Sequence, residues 1–183
     1  MESIGFKEWA LVCEALGEGK QTILLRKGGL TEGRDGFRFS HGEFFLFPTF
    51  FHEQMGKIRA VDAVIPERKE GQIEIRFFAR MEAARIVTAL DRADALEPFH
   101  ILQRGVVRER FNYDEAPGVH VAFVRIFRLQ PTWQLPDSKS YGGCRSWVRL
   151  PAPSSKIRYE AVVSDAAHAR RRRQFDEIIG AAA

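Results

Sequence analysis

Two hydrophobic periods alternate along this chain, and the change from one to the other marks its elements. Between Ser3 and Gly17, Phe6, Trp9, Ala10, Cys13 and Leu16 recur at helical spacing. That pattern predicts a helix capped by Ser3 and stopped by Gly17 and Gly19, with Trp9 and Cys13 in the core and Lys7, Glu8 and Glu14 off the apolar stripe. Gln21 to Lys27 predicts a central strand, with Ile23 and Leu25 on one face and Thr22 and Leu24 on the other. Thr31 to Gly36 is a charged loop. Phe37 to Phe47 resumes strand character, Pro48 ends it, and Thr49 is placed to cap a short helix over the following FFHEQ.

Ile73 to Met81 carries the clearest alternation. Ile73, Ile75, Phe77, Ala79 and Met81 share one face, and Glu74, Arg76, Phe78, Arg80 and Glu82 share the other. A short helix over 88–96 follows, with Thr88 and Asp91 in capping-box positions. Residues 99–110 fit a helix or two short strands. Val119 to Leu129 is a long strand in which a buried Arg125 needs a carboxylate partner. Pro131 to Lys139 predicts a linker, VRL a strand, and Ser164 to Ile179 a closing helix with Arg172–Asp176 and Arg173–Glu177 as i,i+4 pairs. The expected fold is α+β, a curved, mostly antiparallel sheet with helices packed outside, its tightest form a small closed barrel.

The chain has 183 residues, 45% of them hydrophobic and 28% charged, which suits one domain over 1–183: a core over 1–150 and a basic linker and helix over 151–183. No apolar run has the length of a membrane span, and the N-terminus has no secretion signal, so no membrane partner is expected. Two cysteines, Cys13 and Cys144, make no disulfide framework, and a reduced cytoplasmic setting is the default. Charge changes the picture more. From Lys139 to Arg173 nine Lys/Arg face two acids, a local +7, which leaves 19 basic against 22 acidic residues, or −3, elsewhere. Such asymmetry can make one surface attractive to polyanions.

Several polar groups then become candidates. Arg26 and Lys27 end a strand before Gly28-Gly29, where a close backbone approach can admit an anion, although no phosphate-loop pattern follows. Arg76 and Arg80 flank Phe78, so guanidiniums could hold phosphates while the ring stacks on a base; a solvated face with cross-strand ion pairs has the same pattern. His41, Glu43, His52 and Glu53 crowd one region without a recognised metal-ligand spacing, and no cofactor motif occurs. Asp62, Glu74 and Arg76 loosely imitate the acidic pair and base of a metal-dependent nuclease, with Arg a poor substitute for Lys. Cys144 follows two glycines, which suits thiol chemistry with His41 or His52 as base; the plainer reading is a buried thiol packed beside Trp147.

The motifs FKEWALVCEAL, QTILLRKGGL, FFLFPTFFHEQ, FHILQRGVVRERF and YGGCRSWVRL, in this order over about residues 4–150, resemble a bacterial family known as domain of unknown function 1802. The residues that match its pattern are Lys7, Glu8, Trp9, Arg26, Lys27, Gly28, Gly29, Pro48, Thr49, His52, Gln54, Tyr141, Gly143, Cys144, Ser146 and Trp147. Gly42 stands where the family usually has a basic residue. The resemblance implies no assigned activity. Because some members are joined to restriction-type endonuclease domains, it implies a role near DNA and such an endonuclease as partner. GKQTILLR is also similar to the opening of PUA-like barrels, which bind RNA or modified DNA, with Gln21 and Leu24 replacing their Lys and Glu. Together these readings lead to a nucleic-acid-binding module for DNA or RNA. Its contacts are expected from Arg26, Lys27, His41, Thr49, His52, Arg76, Arg80, Tyr141, Cys144, Ser146 and Trp147, converging in one basic hollow. A metal-dependent nuclease and a non-catalytic interaction subunit are the alternatives, which leaves enzymatic activity open.

Overall fold

The computed structural model describes residues 3–27, 37–59, 64–113 and 115–180, and of His52 the backbone alone. Gly28, Gly29, the loop over 31–36 and Asp62 lie outside the described residues, as does the side chain of His52.

Among the described residues seven strands form one curved sheet: β1 (Ser3–Trp9), β2 (Ile23–Arg26), β3 (Glu43–Thr49), β4 (Gln72–Val87), β5 (Val119–Pro136), β6 (Trp147–Leu150) and β7 (Arg158–Ala161). Their order is β2-β5-β4-β3-β1-β6, with β7 also on β5. Among the described residues β1 and β3 run parallel and the other strand pairs are antiparallel. Among the described residues four α-helices complete the α+β fold: α1 (Ala10–Gly17), α2 (Leu90–Ala95), α3 (Arg104–Phe111) and α4 (Asp165–Ile179).

The sheet is not a closed barrel. Among the described residues no ladder joins β6 to β2 or β7, which corrects the PUA-like closure. β5 is long enough to hold β2 over 120–123 and β7 over 127–130 on one side, with β4 on the other. Register shifts in the β4–β5 ladder, between Ile75 and Phe77 and between Met81 and Ala83, mark where it is irregular.

The N-terminal segment departs most from expectation. Residues 3–9 form a strand, and the helix begins only at Ala10. The helical spacing of Phe6 and Trp9 is real, but parallel pairing of Gly5–Trp9 with Phe45–Thr49 overrides it. Pro48 lies inside β3 rather than ending it, and the turn over His52–Lys57 is a 3-10 helix with no side-chain cap. Thr88 does not cap α2, which starts after Ala89. The expected linker over 131–139 is mostly strand, because β5 runs on to Pro136 and pairs with Gln72–Ile75. β2 is an edge strand, yet Ile23, Leu24 and Leu25 are all buried. α4 follows the sequence closely. Ser164 accepts from the Ala167 amide at 3.3 Å, and Arg172 pairs with Asp176 at 2.8 Å.

Two apolar clusters result among the described residues. The larger gathers α1, β2, α2, α3 and α4 against the sheet around Phe6, Phe77, Phe123 and Phe175. The smaller comprises Phe45, Phe47, Ile75, Trp133, Leu150 and neighbours. Phe44 belongs to the first and Phe45 to the second, as strand alternation requires.

Candidate functional site

The open sheet has two ends, and one side chain links them. Arg26, last residue of β2, reaches the segment leading into β6: its Nε and one terminal nitrogen each donate to the Ser146 hydroxyl at 3.2 Å. The same terminal nitrogen donates to the Lys7 carbonyl of β1 at 3.1 Å. Its other terminal nitrogen stands 4.0 Å from the buried Glu8 carboxylate, and its guanidinium lies 5.3 Å from the Phe6 ring centre. Three separate elements therefore meet along a seam. Ser146 is buried, and Arg26 keeps 21% of its side chain exposed.

β1 supplies the seam's floor. Lys7 is only 7% exposed and donates its ammonium to the Gly142 and Gly143 carbonyls at 3.2 and 3.0 Å. Burial, then the charge of Arg145, lowers its pKa, while Cys144 acts the other way. The Lys7 amide also donates to the Ser146 carbonyl at 2.8 Å, so backbone and side chain both fix the turn. Gly143 adopts φ +81°, a conformation glycine takes without a Cβ penalty. The neighbouring Glu8 carboxylate accepts from the Trp9 amide at 2.9 Å. Arg110 of α3 lies 4.9 Å from the Trp9 ring centre and donates to the Leu25 carbonyl. Burial lowers the Arg110 pKa, with Glu8 opposing that shift.

An aromatic ladder runs beside these cations. The Trp147 ring centre is 4.8 Å from Phe6, 5.2 Å from Phe44 and 4.8 Å from His41. Its indole N–H donates to the Arg38 carbonyl at 3.3 Å. Trp147 and His41 are half-exposed, and Arg38 and Arg145 are exposed. The arrangement can offer N–H donors and ring faces together to an anion that carries planar groups.

Of the residues singled out from sequence, Arg26, Ser146, Trp147 and His41 come together, and Thr49 joins them by donating to the Glu8 carbonyl at 3.0 Å. Lys27 instead donates to the Ala116 carbonyl at 2.7 Å. Tyr141 packs on Phe47, 5.4 Å away, in the smaller apolar cluster, whereas Trp147 packs on the larger. Arg76 pairs with Glu14 at 2.8 Å and Arg80 with Glu43 at 2.9 Å, the cross-strand ion pair. Cys144 is exposed, not buried beside Trp147, and it follows the two glycines whose carbonyls accept from Lys7.

Helical reading of the first nine residues put Lys7 and Glu8 on a solvated face, and so hid them. Their place in the family pattern was the signal that pointed to them. For Arg110 no local signal exists; its role follows from packing α3 against β1 and β2.

What these features define is an α+β domain with an open curved sheet whose ends are tied by a cationic, aromatic-lined seam. The chain belongs to the family described as Domain of unknown function (DUF1802), whose model matches residues 5–174 and so takes in β7 and most of α4. No curated protein matches it. Among solved structures, a mutant of the protein ZmASCH from Zymomonas mobilis is similar at 12% identity over 94% of each chain, with a TM-score of 0.45. No helix among the described residues is long and apolar enough to cross a membrane.

Proposed function

We propose that this protein is a nucleic-acid-binding module whose contact surface is the seam between β2 and the turn before β6. The observation that carries this reading is the Trp147–His41 pair, half-exposed and 4.8 Å apart, beside the Arg26 guanidinium and the exposed Arg38 and Arg145. Stacking on a base needs an accessible ring held rigidly, and Phe6 and Phe44 brace the indole from behind. Phosphate contact needs cations at the same edge, and the sequence concentrates its positive charge in the region that includes this turn. A partner of the restriction-endonuclease type fits such a module, which would hold the DNA that the partner cleaves.

Fluorescence anisotropy with single- and double-stranded DNA and RNA, across a salt series, tests the proposal. The expected result is binding whose log affinity falls linearly with log salt. Absence of binding to all four at low salt overturns it.

A further inference from the structure

The last residues of β3 border a second polar site. Thr49 turns its hydroxyl to the Glu8 carbonyl, at 3.0 Å, on the seam side. Its neighbours Pro48 and Phe50 line a cleft of about 380 Å³, open mouth included, whose other walls include Glu14 of α1 and Arg76 of β4. The remaining cations of this cleft are engaged: Arg68 pairs with Asp137 at 2.9 Å, and Lys69 stands 4.0 Å from Glu74.

Glu14 and Arg76 form an incomplete pair. One carboxylate oxygen accepts from one guanidinium nitrogen at 2.8 Å. Among the described residues the second oxygen receives no hydrogen bond, and Nε and the other terminal nitrogen of Arg76 make none. Burial raises the Glu14 pKa even with Arg76 beside it, as expected of a carboxylate that has lost water without gaining enough donors. The site therefore combines spare acceptors, spare donors a few ångströms away, and the half-exposed ring of Phe50.

We propose that this cleft takes a guanine base of the bound strand, an inference that rests on the nucleic-acid reading above. Guanine presents two adjacent donors, N1–H and N2–H, beside the acceptors O6 and N7. A carboxylate matches the first pair and a guanidinium the second. Adenine places the acceptor N1 where guanine has a donor, and that lone pair would face the Glu14 oxygens. Uracil and cytosine each offer their ring or amino donor without the adjacent second one. Phe50 supplies a stacking face that every base can use, so discrimination falls to Glu14 and Arg76.

The test uses the full chain and single-stranded oligouridines that differ only at one central base: guanine, hypoxanthine, adenine or uracil. Guanine is expected to bind about tenfold more tightly than adenine, with hypoxanthine, which lacks the N2 donor, in between. Glu14→Gln is expected to level the guanine and adenine affinities. Equal affinities in the wild-type chain, with salt-dependent binding intact, overturn the guanine site and leave the module reading standing. Failure of every strand to bind removes both. The wild-type comparison needs no substitution, so it stays decisive even if Glu14→Gln misfolds.

Discussion

Arg26 and Ser146, separated by 120 residues in sequence, hold the two ends of an open sheet together through two N–H···O contacts of 3.2 Å to one hydroxyl oxygen. A planar guanidinium can make both contacts at once, and an ammonium cannot. Arg26→Lys is therefore expected to cost about 1–2 kcal/mol in urea denaturation, although it keeps the charge. Ser146→Ala should cost a similar amount. The double mutant should be less destabilised than the sum, because the pair interacts directly, with a coupling of roughly 0.5–1.5 kcal/mol. Additive effects would show that Arg26 acts through its other contacts, with the Lys7 carbonyl, Glu8 and Phe6, rather than through Ser146.

Lys7→Met replaces the ammonium with an apolar group of similar length. The Gly142 and Gly143 carbonyls are in exposed glycines, so water can take over their hydrogen bonds. The expected loss is about 1–2 kcal/mol, modest for a buried charge. The clearer sign is local. Amides over 142–146 should exchange with deuterium faster, while the amides of β5 keep their protection.

Gly17 at the end of α1 packs against Phe77, whose ring atoms would lie 2.0–2.6 Å from a Cβ at this position. Phe77 is 2% exposed and has nowhere to go. Gly17→Ala is expected to destabilise by about 1–3 kcal/mol through overpacking. Gly56→Ala is the control: a Cβ there has nothing within 4 Å, and its effect should stay within about 0.5 kcal/mol.

Strand alternation at Ile73–Met81 and the capping signal at Ser164 were legible because each is a local pattern that the tertiary structure leaves alone. Arg125 was legible in kind: it demanded a carboxylate, and Asp165 of α4 supplies one. β1 was not legible, since Phe6 and Trp9 satisfy a helical period and only pairing with β3 makes them a strand. Pro48 and Pro131 were read as boundaries, yet both lie within strands, Pro131 after a cis peptide bond. The seam was half legible. Arg26, Ser146 and Trp147 could be named, but their meeting depends on the curvature of the sheet, which no short window of sequence encodes. Arg76 and Arg80 share a strand face with Phe78, but a period-two pattern cannot show which carboxylates meet them.

His100 gives the chain a pH dependence. Burial, then the charges of Arg59 and Arg110, lowers its pKa to about 3, while its Nδ1 accepts from the Leu102 amide at 3.1 Å. The unfolded chain protonates this residue near pH 6.5 and the folded one resists, so acid favours unfolding. Its stabilisation is complete above about pH 6.5 and is lost as pH falls toward 3, by at most about 5 kcal/mol. His100→Asn keeps an acceptor for Leu102 without a titrating group. Urea midpoints between pH 7 and 4 should fall more steeply for wild type than for the variant; parallel curves would assign the acid sensitivity to other groups.

Stacking and phosphate contact at the seam are separable by two substitutions. Arg145 is exposed, and its charge acts on Lys7. Arg145→Ala should leave stability within about 0.5 kcal/mol and reduce the slope of log affinity against log salt by about one. Trp147→Leu removes the ring but no charge, so the slope should persist while affinity drops by about 1–3 kcal/mol at every salt concentration. Leucine cannot replace the indole contacts with Phe6, Phe44 and His41, so the variant must be measured where denaturation curves show it folded. A changed slope in the first variant and a parallel displacement in the second locate the two kinds of contact on one edge of the sheet. Unaltered binding by both folded variants would move the nucleic-acid surface away from the seam.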